Sequence, residues 1–313
     1  MMHDSEYAEC RLCPRDCGVN RESGQTGVCG ETAELRVASV GCHFGEEPPF
    51  TGTRGSGTVF FSGCPSHCFF CQNWQISTGR VGRVWTPDEL ETAVVRMLDE
   101  GAHNVNLVSP DHFWPHAEDL IRRLRARGVT APVILNTSGY ESPAMIGRYA
   151  ECADIFLPDI KFAGAELATE CMGDSRYPDI AFAAVAHMIE RKGFLHPFDS
   201  SGREPAQTGV LVRHLVLPGH ADDSCRALER LRREFGRLLP LSLMSQYHPV
   251  PPGPRDGPFA RRLCREEYET VKTCAESMEF EHLFVQELLG DDDFLPDFEE
   301  KRPFPGNPSP TGA

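Results

Sequence analysis

Thr58-Val-Phe-Phe-Ser-Gly-Cys-Pro-Ser-His-Cys-Phe-Phe-Cys71 carries a strand-like apolar run straight into three closely spaced cysteines, Cys64, Cys68 and Cys71. The spacing is Cys-x3-Cys-x2-Cys, with the aromatic Phe70 just before the last thiol. A loop this tight can cap three corners of a cubane iron–sulfur cluster. No fourth thiolate is in the run, so one iron stays open to a ligand. The alternatives are zinc or chance clustering: Cys-x2-Cys pairs are common in zinc ribbons, closed zinc sites take four ligands, and His67 is the only local candidate for the fourth. The position of the loop at the end of a first strand favours the cluster.

The same loop, with Phe70 in place, resembles that of the radical S-adenosylmethionine enzymes. In that family the open iron is chelated by the amino and carboxylate groups of S-adenosyl-L-methionine (SAM). One electron from the reduced [4Fe-4S] cluster breaks the sulfonium carbon–sulfur bond, giving methionine and a 5'-deoxyadenosyl radical that abstracts hydrogen from the substrate. The resemblance therefore implies two cofactors, SAM and a [4Fe-4S] cluster. It also implies a one-electron reductant such as flavodoxin or ferredoxin. The cofactors carry the hard step and the protein positions them.

Composition fits a soluble enzyme. A chain of 313 residues with 40% hydrophobic content can bury one large core with an appendage. No apolar run reaches the ~20 residues of a membrane span, and Met1-Met-His-Asp-Ser-Glu6 lacks the basic and apolar regions of a signal peptide. The expectation is a cytoplasmic protein with no membrane partner. A formal net charge of −15 argues against broad nucleic-acid binding, which calls for a basic surface. Thirteen cysteines without an export signal point to metal ligands and buried thiols rather than disulfides.

A second cysteine group, Cys10, Cys13, Cys17 and Cys29, lies upstream with spacing Cys-x2-Cys-x3-Cys-x11-Cys. Four thiols among glycines and turn residues describe a small knuckle that a metal would hold folded, because so short a segment buries little core. Structural zinc, an auxiliary iron–sulfur cluster and a metal-free knuckle of buried thiols are the three readings.

Beyond the loop, strand-like and helix-like segments alternate. Thr86-Pro-Asp-Glu-Leu90 opens a helix that continues through Val94, Met97 and Leu98 to Gly101. Strands are expected at 104–108, 133–135, 154–157, 210–217 and 241–244, with helices between them, the last over 221–235. About six such units fit between residues 57 and 285, which predicts an α/β fold: a partial (β/α)6 TIM-like barrel preceded by the cysteine knuckle. The family fold is likewise a six-unit partial barrel. The division is residues 1–50 for the knuckle and its lead-in, 51–288 for the core, and 289–313 for an acidic, proline-rich tail expected to be extended or disordered.

Barrel chemistry sits at the C-terminal ends of the strands, and each strand end carries polar residues: Ser109 to His112, Asn136 and Thr137, Asp159 and Lys161, Arg213, and Gln246 to His248. Each alone reads as turn chemistry or a surface pair. Their shared rim suggests a site.

Within the superfamily, the chain most resembles the pyruvate formate-lyase activating enzymes, and their homologues with an N-terminal Cys-x-Leu-Cys-Pro-Arg-x-Cys-Gly-Val-Asn-Arg run, here Cys10 to Arg21. The resemblance implies that Asp159 and Lys161 contact SAM, as do His248 of the Tyr247-His248 pair and Arg213 on its strand. Phe70, Cys71 and Gln72 of the loop are read as cofactor contacts too. Two positions depart from the family. Where Gly-Gly-Glu grips the methionine amino group, this chain has Val108-Ser-Pro-Asp-His112, leaving Ser109 or a backbone carbonyl to serve. The strand-three acid that helps hold a monovalent cation corresponds to Asn136 beside Thr137. The implied substrate is a glycine in a partner glycyl radical enzyme. Radical chemistry on another protein or a small molecule is the second reading, and a non-catalytic metal-binding or electron-transfer module the third. Tyr247 to Pro254 reads as a turn-rich loop. Cys152, Cys171, Cys225, Cys264 and Cys274 read as buried thiols.

Overall fold

The computed structural model describes residues 6–251, 253–288 and 295–304. Its strands are β1 (Arg36–His43), β2 (Ser56–Phe61), β3 (Arg83–Val84), β4 (Val105–Val108), β5 (Val133–Thr137), β6 (Ile155–Pro158), β7 (Gly209–Val210), β8 (Val212–Leu215), β9 (Leu241–Met244) and β10 (Leu283–Val285). The helices are α1 (Pro48–Thr51), α2 (Trp74–Ser77), α3 (Pro87–Asp99), α4 (Trp114–Ala126), α5 (Pro143–Cys152), α6 (Ala165–Met172), α7 (Tyr177–Lys192), α8 (Ala221–Phe235) and α9 (Arg265–Ser277).

Strands β2, β4, β5, β6 and β7 run parallel in one sheet, and β8, β9 and β10 run parallel in a second. The two sheets meet where Asp159 bridges Arg213 and the Ile160 amide donates to the Arg213 carbonyl at 2.8 Å. Among the described residues β2 and β10 share no ladder, so the parallel strands form a partial barrel. Its outer edge beyond β2 is covered by β1, which pairs antiparallel with β2.

Period-two alternation sorts the core. Val133, Leu135 and Phe156 join the large cluster under the helices, while Ile134, Ile155 and Leu157 join Phe50, Leu195 and Leu211 in a separate cluster on the other face. All of these strand residues are buried on both faces of the sheet, as a parallel sheet with covering helices requires. Thr86 caps α3 through a capping box: its hydroxyl accepts from the Glu89 amide at 3.2 Å and the Glu89 carboxylate accepts from the Thr86 amide at 2.8 Å.

Three expectations change. The run 210–217 is two strands, not one. The Leu211 amide donates to Phe156 of the first sheet and the Val212 amide to Pro240 beside the second, so the chain changes sheets between them. A continuous apolar run says that both faces are buried, not which neighbour each residue pairs with. Cys264 is exposed at the N-terminus of α9, where its amide donates to the Glu267 carboxylate at 3.1 Å. Only Cys171 of the five outlying cysteines is fully buried. The tail, read as extended or disordered, has residues 295–304 packed against the barrel, with Phe298 only 5% exposed; residues 289–294 and 305–313 lie outside the described residues. Among the described residues no helix is long and apolar enough to cross a membrane.

Candidate active site

The cluster loop leaves β2 through Gly63, whose φ of +78° lies in the left-handed region. A Cβ there would stand 2.7 Å from the Cys29 carbonyl and 2.5 Å from the Glu31 side chain. The cysteine knuckle therefore presses directly on the start of the loop. Arg15 of the knuckle donates to the carbonyls of Pro65 at 2.9 Å, Ser66 at 3.2 Å and Met172 at 2.6 Å. Arg21 donates to the carbonyls of His112, Glu31 and Thr32, and His112 Nε2 donates to the Ser62 carbonyl at 2.7 Å. Arg15 thus ties the loop directly to the knuckle through main-chain acceptors, and Arg21 does so through His112.

Cys64, Cys68 and Cys71 line a cavity of about 450 Å³. Phe70, Gln72, Ser109, Asn136, Thr137, Asp159, Lys161, Arg213, Gln246, Tyr247 and His248 line it too, whereas Asp111 and His112 of the second strand end are buried and do not. His67 is exposed and does not line it.

At the strand ends, Tyr177 of α7 is the fastener. Its hydroxyl lies 2.8 Å from the Ser138 carbonyl and 3.0 Å from that of Asp159, and accepts from the Lys161 amide at 3.0 Å. Ser138 Oγ is 2.6 Å from Ser66 Oγ of the cluster loop. Lys161 Nζ pairs with the Asp159 carboxylate. Burial alone would lower the Lys161 ammonium, but Asp159 and Cys68 outweigh it and hold it above its ordinary range. Ser109 stands at φ +52°, uncommon for a residue with a Cβ, and its amide donates to the Asn136 carbonyl at 2.9 Å.

Burial pushes the Cys68 thiol up to about 12 and the Cys64 thiol up to about 11, with the neighbouring loop thiols adding to the rise. Cys68 is buried and Cys64 and Cys71 half-buried; to act as thiolates they need a positive centre, and in a cubane each would bind its own iron. Among the described residues no three or more His, Cys, Asp or Glu side chains converge as a single metal ion requires. Three thiols of one short loop that all line one cavity fit a cluster of several irons, on which each cysteine would take a separate corner. Of the knuckle thiols, Cys10 and Cys29 are buried and Cys13 and Cys17 half-buried. Burial raises Cys13 and Cys29, and nearby thiols reinforce both shifts.

Two features carried no motif. Arg213 donates from Nε to Glu47 at 2.9 Å and from Nη2 to Glu46 and Glu47, both on the lead-in after β1. Burial would raise Glu47, but Arg213 more than reverses it, leaving the carboxyl below its ordinary range. Adjacent glutamates 166 and 167 residues upstream of Arg213 give no sequence sign of this contact. The second feature is a buried acid pair, Asp111 and Glu141, each 1% exposed, whose carboxyl oxygens make no hydrogen bond of ordinary geometry among the described residues, with the Tyr149 hydroxyl near Asp111 and the Thr137 hydroxyl near Glu141. Burial pushes Asp111 up to about 7 and raises Glu141 well above its usual range.

Residues 58–231 match the family model of the Radical SAM superfamily. The uncharacterized protein MJ0674 of Methanocaldococcus jannaschii is 26% identical over 286 residues, covering 89% of this chain and 77% of that protein. Among solved structures, native anSMEcpe with bound AdoMet aligns at a TM-score of 0.48 and 13% identity, over 72% of this chain and 61% of that one. Methylornithine synthase (PylB) aligns at 0.48 and 13% identity, over 77% of this chain and 75% of that one. The chain spans less than two thirds of the anSMEcpe chain.

Proposed function

Because this chain belongs to the radical SAM superfamily, we propose that its cavity holds SAM beside a [4Fe-4S] cluster on Cys64, Cys68 and Cys71, and directs hydrogen abstraction from a substrate. When bound, the pair supplies a 5'-deoxyadenosyl radical by one-electron cleavage of the sulfonium. The protein's own residues hold and orient. Asp159 and Lys161 offer one charge of each sign, matched to the cofactor's ammonium and carboxylate. Ser109, Asn136 and Thr137 present polar groups from two adjacent strand ends. Phe70 and the buried walls exclude water, which protects a radical from side reactions. The observation that carries the reading is the convergence of the three loop thiols with rim residues from five strand ends on one cavity.

The substrate we favour is a glycine in a partner glycyl radical enzyme, on the resemblance to the activating enzymes and on a barrel open enough to admit a polypeptide loop. Radical modification of another protein or a small molecule is the second reading. A reducing cytoplasm with flavodoxin or ferredoxin as electron donor suits either. The knuckle is structural, held by zinc, by a second cluster or by its buried thiols alone.

Anaerobic reconstitution with iron and sulfide, followed by electron paramagnetic resonance with and without SAM, tests the reading. A cubane signal that changes on adding SAM, with 5'-deoxyadenosine formed, supports it. A signal indifferent to SAM leaves a metal-binding or electron-transfer module. Cys68→Ala should abolish SAM cleavage, whereas Cys13→Ala should mainly lower yield of folded protein.

A further inference from the structure

The tail segment 297–304 is built into the wall of this cavity. Phe304 lines it, and its ring lies 4.1 Å from that of His43 on β1 and 5.5 Å from that of Phe60 on β2. Phe298 packs edge-on against Phe60 at 5.2 Å and joins Ile76 and Val108 in a small buried cluster. Gln75 of α2, four residues past the last cluster cysteine, fastens the segment twice: its Nε2 donates to Asp297 Oδ1 at 2.9 Å and its Oε1 accepts from the Phe298 amide at 2.8 Å. The Asp297 amide donates to the Pro303 carbonyl at 2.8 Å, which closes the segment into a compact loop. Pro296, Phe298 and Pro303 are buried, while Glu299, Glu300, Lys301 and Arg302 face solvent.

These contacts place an intramolecular strap on the strand β2 side of the cavity, where among the described residues no β2–β10 ladder closes the barrel. A space of about 450 Å³ is the size of a site for one drug-sized ligand, so with SAM inside it a bulky substrate must enter past a wall. We propose that residues 297–304 are a displaceable strap that sets the size of what reaches the radical site, with Phe304 as its specificity-determining residue. This rests on the radical reading for its purpose, but its geometry does not. The strap is held by one amide clamp, the buried Phe298 ring, the Phe304 ring against His43 and Phe60, and two buried prolines. Such contacts can open without unfolding the barrel.

The test uses the full chain as purified and reduced, with any knuckle metal retained and only the loop cluster left unassembled, so it is independent of cluster assembly and of SAM cleavage. Gln75→Ala and Phe298→Ser each remove one part of the fastening. Trypsin cleavage after Lys301 reads strap release. Alkylation of Cys64, Cys68 and Cys71, located by peptide mapping, is followed with a small reagent (iodoacetamide) and a large one (a polyethylene-glycol maleimide). We expect both variants to cleave about tenfold faster after Lys301, the change that loss of one ordinary contact produces in an open population. The large reagent should gain by a similar factor at the three loop cysteines, while the small one changes little. Three results overturn the proposal: large-reagent labelling that stays slow although Lys301 has become sensitive, native protein that takes both reagents equally fast, or Lys301 protected in both variants. Failure of SAM cleavage alone would overturn the radical reading and leave the strap standing.

Discussion

At the residue scale, the site depends on groups that touch no cofactor. The Tyr177 hydroxyl contacts the Ser138 carbonyl, the Asp159 carbonyl and the Lys161 amide, fixing two strand ends at once. Tyr177→Phe leaves buried main-chain groups short of a partner, which costs about 1–3 kcal/mol. A lower unfolding midpoint together with weaker SAM binding by calorimetry is the expected pair of results; unchanged binding would confine Tyr177 to packing. His112 carries a pH prediction. Burial, reinforced by Arg21, holds its imidazole down at about 3 against an ordinary 6.5, so the folded chain keeps it neutral. Its stabilising effect is complete above pH 6.5 and is lost as pH falls from 6.5 toward 3, where the unfolded chain gains a proton that the folded chain refuses. Each unit is worth about 1.4 kcal/mol, so the loss by pH 4 is on the order of a few kcal/mol. Asp111 acts in the opposite sense, because its raised carboxyl favours the fold at low pH and loses that effect as pH rises toward about 7. The native chain compared with His112→Gln isolates the histidine: denaturant titrations should give the variant a flatter stability profile between pH 6.5 and 4.

At the element scale, the cysteine knuckle and the cluster loop behave as one piece. Arg15 reaches three carbonyls across two other segments with its side chain only about a tenth exposed. Arg15→Ala should therefore lower the iron retained per chain after reconstitution, with near-native circular dichroism, while Arg15→Lys recovers only part of it because an ammonium cannot span the same acceptors. Equal iron content in native and Ala proteins would make the clamp irrelevant to the loop. Helix α3 shows an ordinary case of local design: Thr86→Ala removes the capping hydroxyl and should cost about 1 kcal/mol by thermal denaturation without changing SAM binding.

At the scale of the molecule, the open barrel is tied across its mouth. Gln246 donates to Gln72 Oε1 of the cluster loop at 2.9 Å, and Gln286 donates to Gln246 Oε1 at 3.0 Å, which links the loop to the ends of the last two strands. Gln246→Leu should raise amide hydrogen exchange in both the loop and β10; exchange rising in only one would show that the chain of amides does not couple them.

Much of this protein was legible without coordinates, because its strongest signals are local. Cys64, Cys68 and Cys71 are three residues of one loop, the α3 capping box spans four positions, and alternating strands and helices follow from hydrophobic period. Those features determined the partial barrel and the rim on which Asp159, Lys161 and Asn136 stand. The remainder lies in contacts between segments far apart in the chain. Leu211 changes sheets within an unbroken apolar run, Glu46 and Glu47 engage Arg213, Arg15 reaches Met172, and Gln75 fastens a tail more than 220 residues downstream. An acidic or amide side chain has the same local pattern whether it faces water or a buried partner. Only tertiary packing decides which, since burial, not residue type, sets whether a polar group must find a mate.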